Sequence, residues 1–220
     1  MDVSTFLERV RGATETPTLY FLGKGGWPNA QRGMPHPQPG ELVLPRECLD
    51  DMQAHQVDKY HRYEQEAAQA GVSLAAVRQM PRSPACDCTR FVAWALDVPH
   101  DVRPDGTAGW FYTGSILDDV FGARKMFERF DVATPGMAAL GTMLVYASDG
   151  EHEVGHIGVV SAVDDLGRPT RVIHCAPGNY LAPPLPGCEP NAIRETGLAP
   201  FFSLGGTSHV IVVRCKLLSP

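Results

Sequence analysis

Four runs rich in β-branched residues occupy the C-terminal part of the chain: "GTMLVYAS" at 141–148, "HIGVVSAV" at 156–163, "TRVIHCA" at 170–176 and "HVIVVRCKLL" at 209–218. Turn signals such as "SDGE", "DDLGRP" and "PGN" separate them. Val, Ile and Thr are stiff at χ1 and pack well on a pleated surface, so runs of this kind bounded by Gly, Asp and Pro are expected to be strands. Consecutive strands joined by short turns pair antiparallel, because a parallel pair needs a long crossover. Before Pro135 the pattern is helical. Helices first and strands after give an α+β class with an antiparallel sheet.

The helical part begins with "MDVSTFLERVRGATETP", where Val3, Phe6, Leu7 and Val10 share one face and Ser4 stands near the start. The run "TPTLYFLGKGG" then ends in a glycine turn, which implies backbone packed close to a neighbour. A Pro- and Gly-rich stretch follows, and the spacing predicts a helix over 45–71 closed by Gly71. Ser73 is placed to cap "LAAVRQM", Pro81 and Pro84 break the chain, and a further helix is predicted over 115–129. The 220 residues are read as one domain, with 27–84 as a Pro/Gly-rich and helical insertion.

Composition narrows the partners. Hydrophobic residues at 44% with 20% charged are enough to build a core. A net charge of −6 and the lack of any basic run argue against nucleic acid or an anionic membrane as the main partner. No apolar stretch approaches the ~18 residues of a membrane span, so no membrane insertion is expected. The N-terminus has no basic segment followed by an apolar one, so synthesis in the cytoplasm is expected, with a specialised route if the target lies outside. A large chain without an export signal should keep its six cysteines reduced. Cys48, Cys188 and Cys215 are read as small buried hydrophobes.

Cys88 is different. It follows the Pro-rich break and precedes the apolar helix "TRFVAWAL", which places it in a first turn. Backbone N–H groups and the helix dipole there favour an anion and are expected to lower the thiol pKa. A catalytic nucleophile and a buried structural cysteine both fit this position. A nucleophile also needs a base held by a third group. His156 opens one strand and His174 lies in the next, so the two imidazoles can lie side by side across an antiparallel pair.

These segments carry a resemblance. "CDCTRFVAWAL" resembles the D-C-S/T-x-F-V nucleophile box of NlpC-type cysteine peptidases, and C-T-x-F-V equally resembles the CHAP amidases. "GTMLVYAS…GHIGVVSAV" is similar to the strand pair G-D-L-V-x-F…H-V-G-I/V of the same papain-like superfamily. "RVIHCAPGN" resembles the strand bearing the third polar residue, and "TPTLYFLGKGG" the upstream Y-x-x-G-G segment. The resemblance spans residues from about 16 to 180 in the family's order. It implies a papain-like core, Cys88 as nucleophile, His156 as general base and acid, and His174 as its orienter. It implies an oxyanion hole from the Cys88 N–H with the Tyr20 hydroxyl as second donor, and Asp87 and Thr89 shaping the site. Asn179 is the reserve third residue, as in CHAP enzymes. The implied substrate is the peptide of bacterial cell wall (peptidoglycan), with no cofactor. An immunity or inhibitor protein would be the partner of a delivered effector.

The chain departs from the pattern at Arg90 for glycine, Thr142 for the acid, Thr89 for serine, and in the long separation between the Gly-rich segment and Cys88. Trp110 in "TAGWFYTGS" either lines the groove or packs. Trp94 is assigned to the core, and Asp118-Asp119 and Asp164-Asp165 to solvated positions.

Two metal readings compete. His152-Glu153-Val154-Gly155-His156 spells H-E-x-x-H, but Gly155 and the Ile/Val run after it favour a strand, which would hold the histidines about 13 Å apart. Cys86, Cys88, His174 and Cys175 could supply ligands for a structural zinc. The expected function is therefore a cysteine amidohydrolase. The rivals are a non-catalytic papain-like binding domain and a zinc protein.

Overall fold

The computed structural model describes residues 1–26, 38–69, 73–100, 111–122, 126–131, 139–147, 155–181, 191–202 and 210–219. In chain order, α1 (Val3–Gly12) leads into the short strands β1 (Leu19–Tyr20) and β2 (Glu41–Val43). Three helices follow: α2 (Pro45–His55), α3 (Val57–Gln69) and α4 (Leu74–Arg78). Next come β3 (Ser83–Cys86), α5 (Cys88–Ala95), α6 (Thr113–Phe121) and β4 (Phe127–Arg129). The rest is β5 (Met143–Tyr146), β6 (His156–Val163), β7 (Pro169–Cys175), α7 (Pro177–Leu181), β8 (Ile193–Gly197), α8 (Leu198–Phe202) and β9 (Ile211–Cys215).

The class is α+β, and the main sheet is antiparallel throughout, in the order β4-β9-β5-β6-β7-β8. The four strands expected from sequence are β5, β6, β7 and β9. Both faces of the sheet are covered. Met143, Val145, Ile157, Val159, Ile173 and Val213 join Phe91 and Val92 of α5 in the large core. Alternate residues Leu144, Tyr146, Val160 and Val172 point the other way, onto Phe130 and Phe201. Burial on both faces is why these strands read as continuous apolar runs. Among the described residues no helix is long and apolar enough to cross a membrane.

Three expectations are corrected. The helix over 45–71 is two, interrupted at Gln56 with φ −142° and ψ 51°. Met52 on one side of the break and Tyr60 on the other both belong to the core. Gly71 lies outside the described residues. The chain does break at Pro81, but Pro84 belongs to strand β3, central in a second sheet of order β1-β3-β2. The helix over 115–129 ends at Gly122, and its last residues form β4.

Asp119, assigned to solvent, is 2% exposed. Its carboxylate accepts the backbone N–H groups of Met126 and Phe127, at 3.0 and 2.8 Å, where the chain turns from α6 into β4. Asp164 does stand in a turn, where it accepts the Leu166 and Arg168 N–H groups. Asp119→Ala would leave two buried donors unsatisfied, so it should cost about 2–4 kcal/mol in urea unfolding. Asp118→Ala, on the same helix, should change stability by less than about 0.5 kcal/mol.

Candidate active site

The site is built around the start of α5. Asp87 is its N-cap, with the Arg90 N–H 2.8 Å from Oδ1. The same oxygen accepts the Thr89 hydroxyl at 2.9 Å, and Oδ2 accepts the Gly23 N–H at 2.8 Å. Asp87 N–H in turn donates to Lys24 O, and the Arg90 guanidinium to Gly25 O. The glycine turn is thus tied to the helix start at three points. Gly25 shows why the turn is glycine-rich: its φ is +84°, and a Cβ there would lie 2.6 Å from the Cys86 sulfur. The Thr89 hydroxyl also meets His100 Nε2 at 3.2 Å.

Cys88 is the first residue of α5 and 6% exposed. Its sulfur is approached by the backbone N–H groups of Ile157 and Thr89. These donors pull the pKa down, but other effects outweigh them, contrary to the sequence reading. Burial, followed by the Asp87 charge, pushes the thiol well above its ordinary range. The resting thiol is protonated.

His156 opens β6, as the strand reading required. Its Nε2 lies 2.7 Å from His174 Nδ1. Gly158 is what permits this contact. It is the register partner of His174, and a Cβ on it would meet the His174 Cβ at 2.9 Å and Phe201 at 3.0 Å. The two histidines are therefore diagonal neighbours across a glycine, with His156 tilted against Phe201 and His174 edge-on to it at ring separations of 5.0 and 5.5 Å. Burial lowers the pKa of both: His156 well below its ordinary value, with His174 a second cause, and His174 to about 4. Both rings are neutral at pH 7. The Cys88 sulfur accepts the Ile157 N–H, which puts it one peptide unit from His156, and Tyr146 lies beside the His156 ring at 6.0 Å. Among the described residues no hydrogen bond links the Cys88 sulfur and the His156 ring directly.

A cleft opens beside His156. Tyr20 and Tyr146 form part of its wall with Met52 of α2 and Lys59, Arg62 and Tyr63 of α3. The helical insertion thus supplies one side of the cleft, while Cys88 does not itself line it. Trp94 is buried on α5, beneath the Arg9 guanidinium at 4.4 Å.

Asn179, the reserve third residue, is not directed at His156. Its amide donates to the backbone carbonyls of His174 and Ala192, at 2.9 and 3.0 Å, and so holds the end of β7. Three of the four proposed zinc ligands are also engaged elsewhere: the Cys86 thiol donates to Asp87 O, the Cys175 thiol to Cys86 O, and both His174 nitrogens have partners. Among the described residues no three His, Cys, Asp or Glu side chains are arranged to hold a metal ion. Trp110, His152, Glu153 and Cys188 lie outside the described residues.

Sequence reasoning missed Thr196, whose Oγ1 is 3.0 Å from His174 Nε2. The stretch "IRETG" carries no apolar alternation that would have marked a strand beside β7. A scan of protein-family models finds no match to this chain, and a search of curated proteins finds none.

Two outcomes follow from the neutral state of these groups. Alkylation of Cys88 in the free protein should keep accelerating with pH beyond 8.5, the midpoint of an ordinary thiol; a plateau below pH 7 would mean a thiolate–imidazolium pair instead. The second concerns stability. His174 takes a proton near 6.5 when unfolded but only near 4 when folded, so its contribution is complete above about pH 6.5 and is lost as pH falls toward 4. The loss from this group is about 3 kcal/mol. Urea midpoints should fall from pH 7 to pH 4.5, and less steeply in His174→Gln; equal slopes would contradict a neutral buried ring.

Proposed function

We propose that this protein is a cysteine-dependent amidohydrolase or peptidase with a papain-like core of the NlpC/CHAP type. Cys88 is the nucleophile, His156 the general base and acid, and His174 the group that orients it. The observation that carries the reading is the 2.7 Å contact of two neutral, buried imidazoles one peptide away from a cysteine at a helix start. A buried histidine pair is held only where its hydrogen bonds are made, and cysteine hydrolases place a thiol, a base and an orienter in this order.

In the reaction the Cys88 sulfur attacks the amide carbonyl carbon as its proton passes to His156 Nδ1, the ring nitrogen not engaged by His174. Substrate closes the gap between sulfur and imidazole, since hydrogen bonds of this class are often long before the substrate is bound. The carbonyl oxygen takes up negative charge beside the first-turn N–H of Cys88, which has no intrahelical acceptor, and the Tyr20 hydroxyl. The C–N bond breaks as His156 protonates the leaving amine, which leaves a thioester. Water adds to the thioester, gives a proton to His156, and releases the acid and the free thiol.

The cleft suits a peptide with free carboxylates: Lys59 and Arg62 stand on its wall in a chain whose net charge is −6. That fits the peptide of bacterial cell wall. A non-catalytic domain of the same architecture is the second reading, favoured by the protonated thiol and its lack of a direct bond to His156.

Digestion of purified cell-wall sacculi separates the two. Wild type should release peptide-bearing fragments whose masses name the bond cleaved, and Cys88→Ala should lower release by about 1,000-fold or more. Release undiminished in Cys88→Ala, or none from wild type, would count against the hydrolase.

A further inference from the structure

Each of the two buried histidines carries one ring proton when neutral, and where that proton sits decides whether His156 can act as a base. Three hydrogen bonds in series govern this. His156 Nε2 meets His174 Nδ1 at 2.7 Å, His174 Nε2 meets Thr196 Oγ1 at 3.0 Å, and Thr196 Oγ1 donates to the Gly197 carbonyl at 3.0 Å. A carbonyl oxygen only accepts. It claims the single hydroxyl proton of Thr196 and leaves that oxygen as an acceptor toward His174.

The rest of the chain then has one solution. His174 must carry its proton on Nε2 to donate to Thr196, so its Nδ1 is bare and accepts from His156 Nε2–H. The proton of His156 is thereby placed on Nε2, and Nδ1 keeps its lone pair. In the reverse setting, with the hydroxyl turned toward His174, each ring would hold its proton on Nδ1 and His156 would have nothing with which to accept a thiol proton.

We propose that Thr196 is a positioning residue that fixes the tautomers of His174 and His156 and so makes His156 Nδ1 the base. The register supports this assignment. Val172 faces Thr196 across β7 and β8, so Thr196 is the diagonal neighbour of His174, just as His174 is the diagonal neighbour of His156. The three polar side chains run in one line across three strands on the face that carries Phe201. Thr196 reaches no substrate in this arrangement; it acts through His174. The inference rests on the reading of His156 as the base of a thiol hydrolase, but the proton positions can be measured without any turnover.

Long-range ¹H–¹⁵N spectra of the ¹⁵N-histidine-labelled protein near pH 7 read the tautomers directly. Both rings should show Nε2–H with a bare Nδ1, assigned through His156→Gln and His174→Gln. Thr196→Val keeps the shape but removes the acceptor, so it should bring in Nδ1–H signals and lower Cys88-dependent hydrolysis by about 10- to 100-fold. Thr196→Ser should restore both the spectrum and the rate. An Nδ1–H on His156 in wild type overturns the proposal, as does a Thr196→Val protein with unchanged spectrum and rate. The wild-type spectrum alone decides if Thr196→Val does not fold. Nε2–H on both rings in a protein that cleaves nothing would leave this assignment standing and remove the hydrolase reading.

Discussion

The buried carboxylate of Asp87 is the joint on which the candidate site depends. One side chain caps α5, receives the Thr89 hydroxyl and holds the Gly23 N–H, so helix start and glycine turn move as one piece. Because β1 and β3 run side by side into that joint, Tyr20 is brought level with Cys86, two residues before the candidate nucleophile. The same charge has an electrostatic cost. Burial is the main opposition to ionisation of the Cys88 thiol, and the neighbouring Asp87 charge adds to it. The group that positions the sulfur thus helps to keep it protonated.

The sheet solves a different problem. Both of its faces are packed, with α5 on one and Phe201 on the other, so a polar pair can exist there only if its hydrogen bonds are complete. His156 and His174 meet that condition by bonding each other and then Thr196. Space for two rings on adjacent strands comes from Gly158, which leaves the position opposite His174 without a side chain.

Much of this was legible in the letters. The β-branched runs marked β5, β6, β7 and β9, and the Pro-rich break before an apolar helix placed Cys88 at a first turn. Local signals of that kind survive because the buried strands and the capped helix agree with their own propensities. Other features depend on contacts distant in sequence. β3 and β4 follow Pro-rich or helical-looking segments and exist because they have partners, β1 with β2 in one case and β9 in the other. Asp119 looked solvated because nothing near it in sequence shows that the chain returns to offer it two N–H groups. The thiol pKa is not legible from its position, because a helix start favours an anion only where burial and a neighbouring carboxylate do not outweigh it.

The diagonal placement of His156, His174 and Thr196 has a consequence for how such a chain could fail. Side chains alternate faces along a strand, so a slip of β7 by one residue against β6 would send His174 to the α5 side and bring Ile173 or Cys175 into its place. The fold could still bury comparable apolar area, since both faces are hydrophobic, and would pass most tests of compactness. What it would lose is the polar line. The alignment of three strands is therefore recorded in whether these three side chains bond in series, an internal gauge of correct pairing that stability alone would not provide.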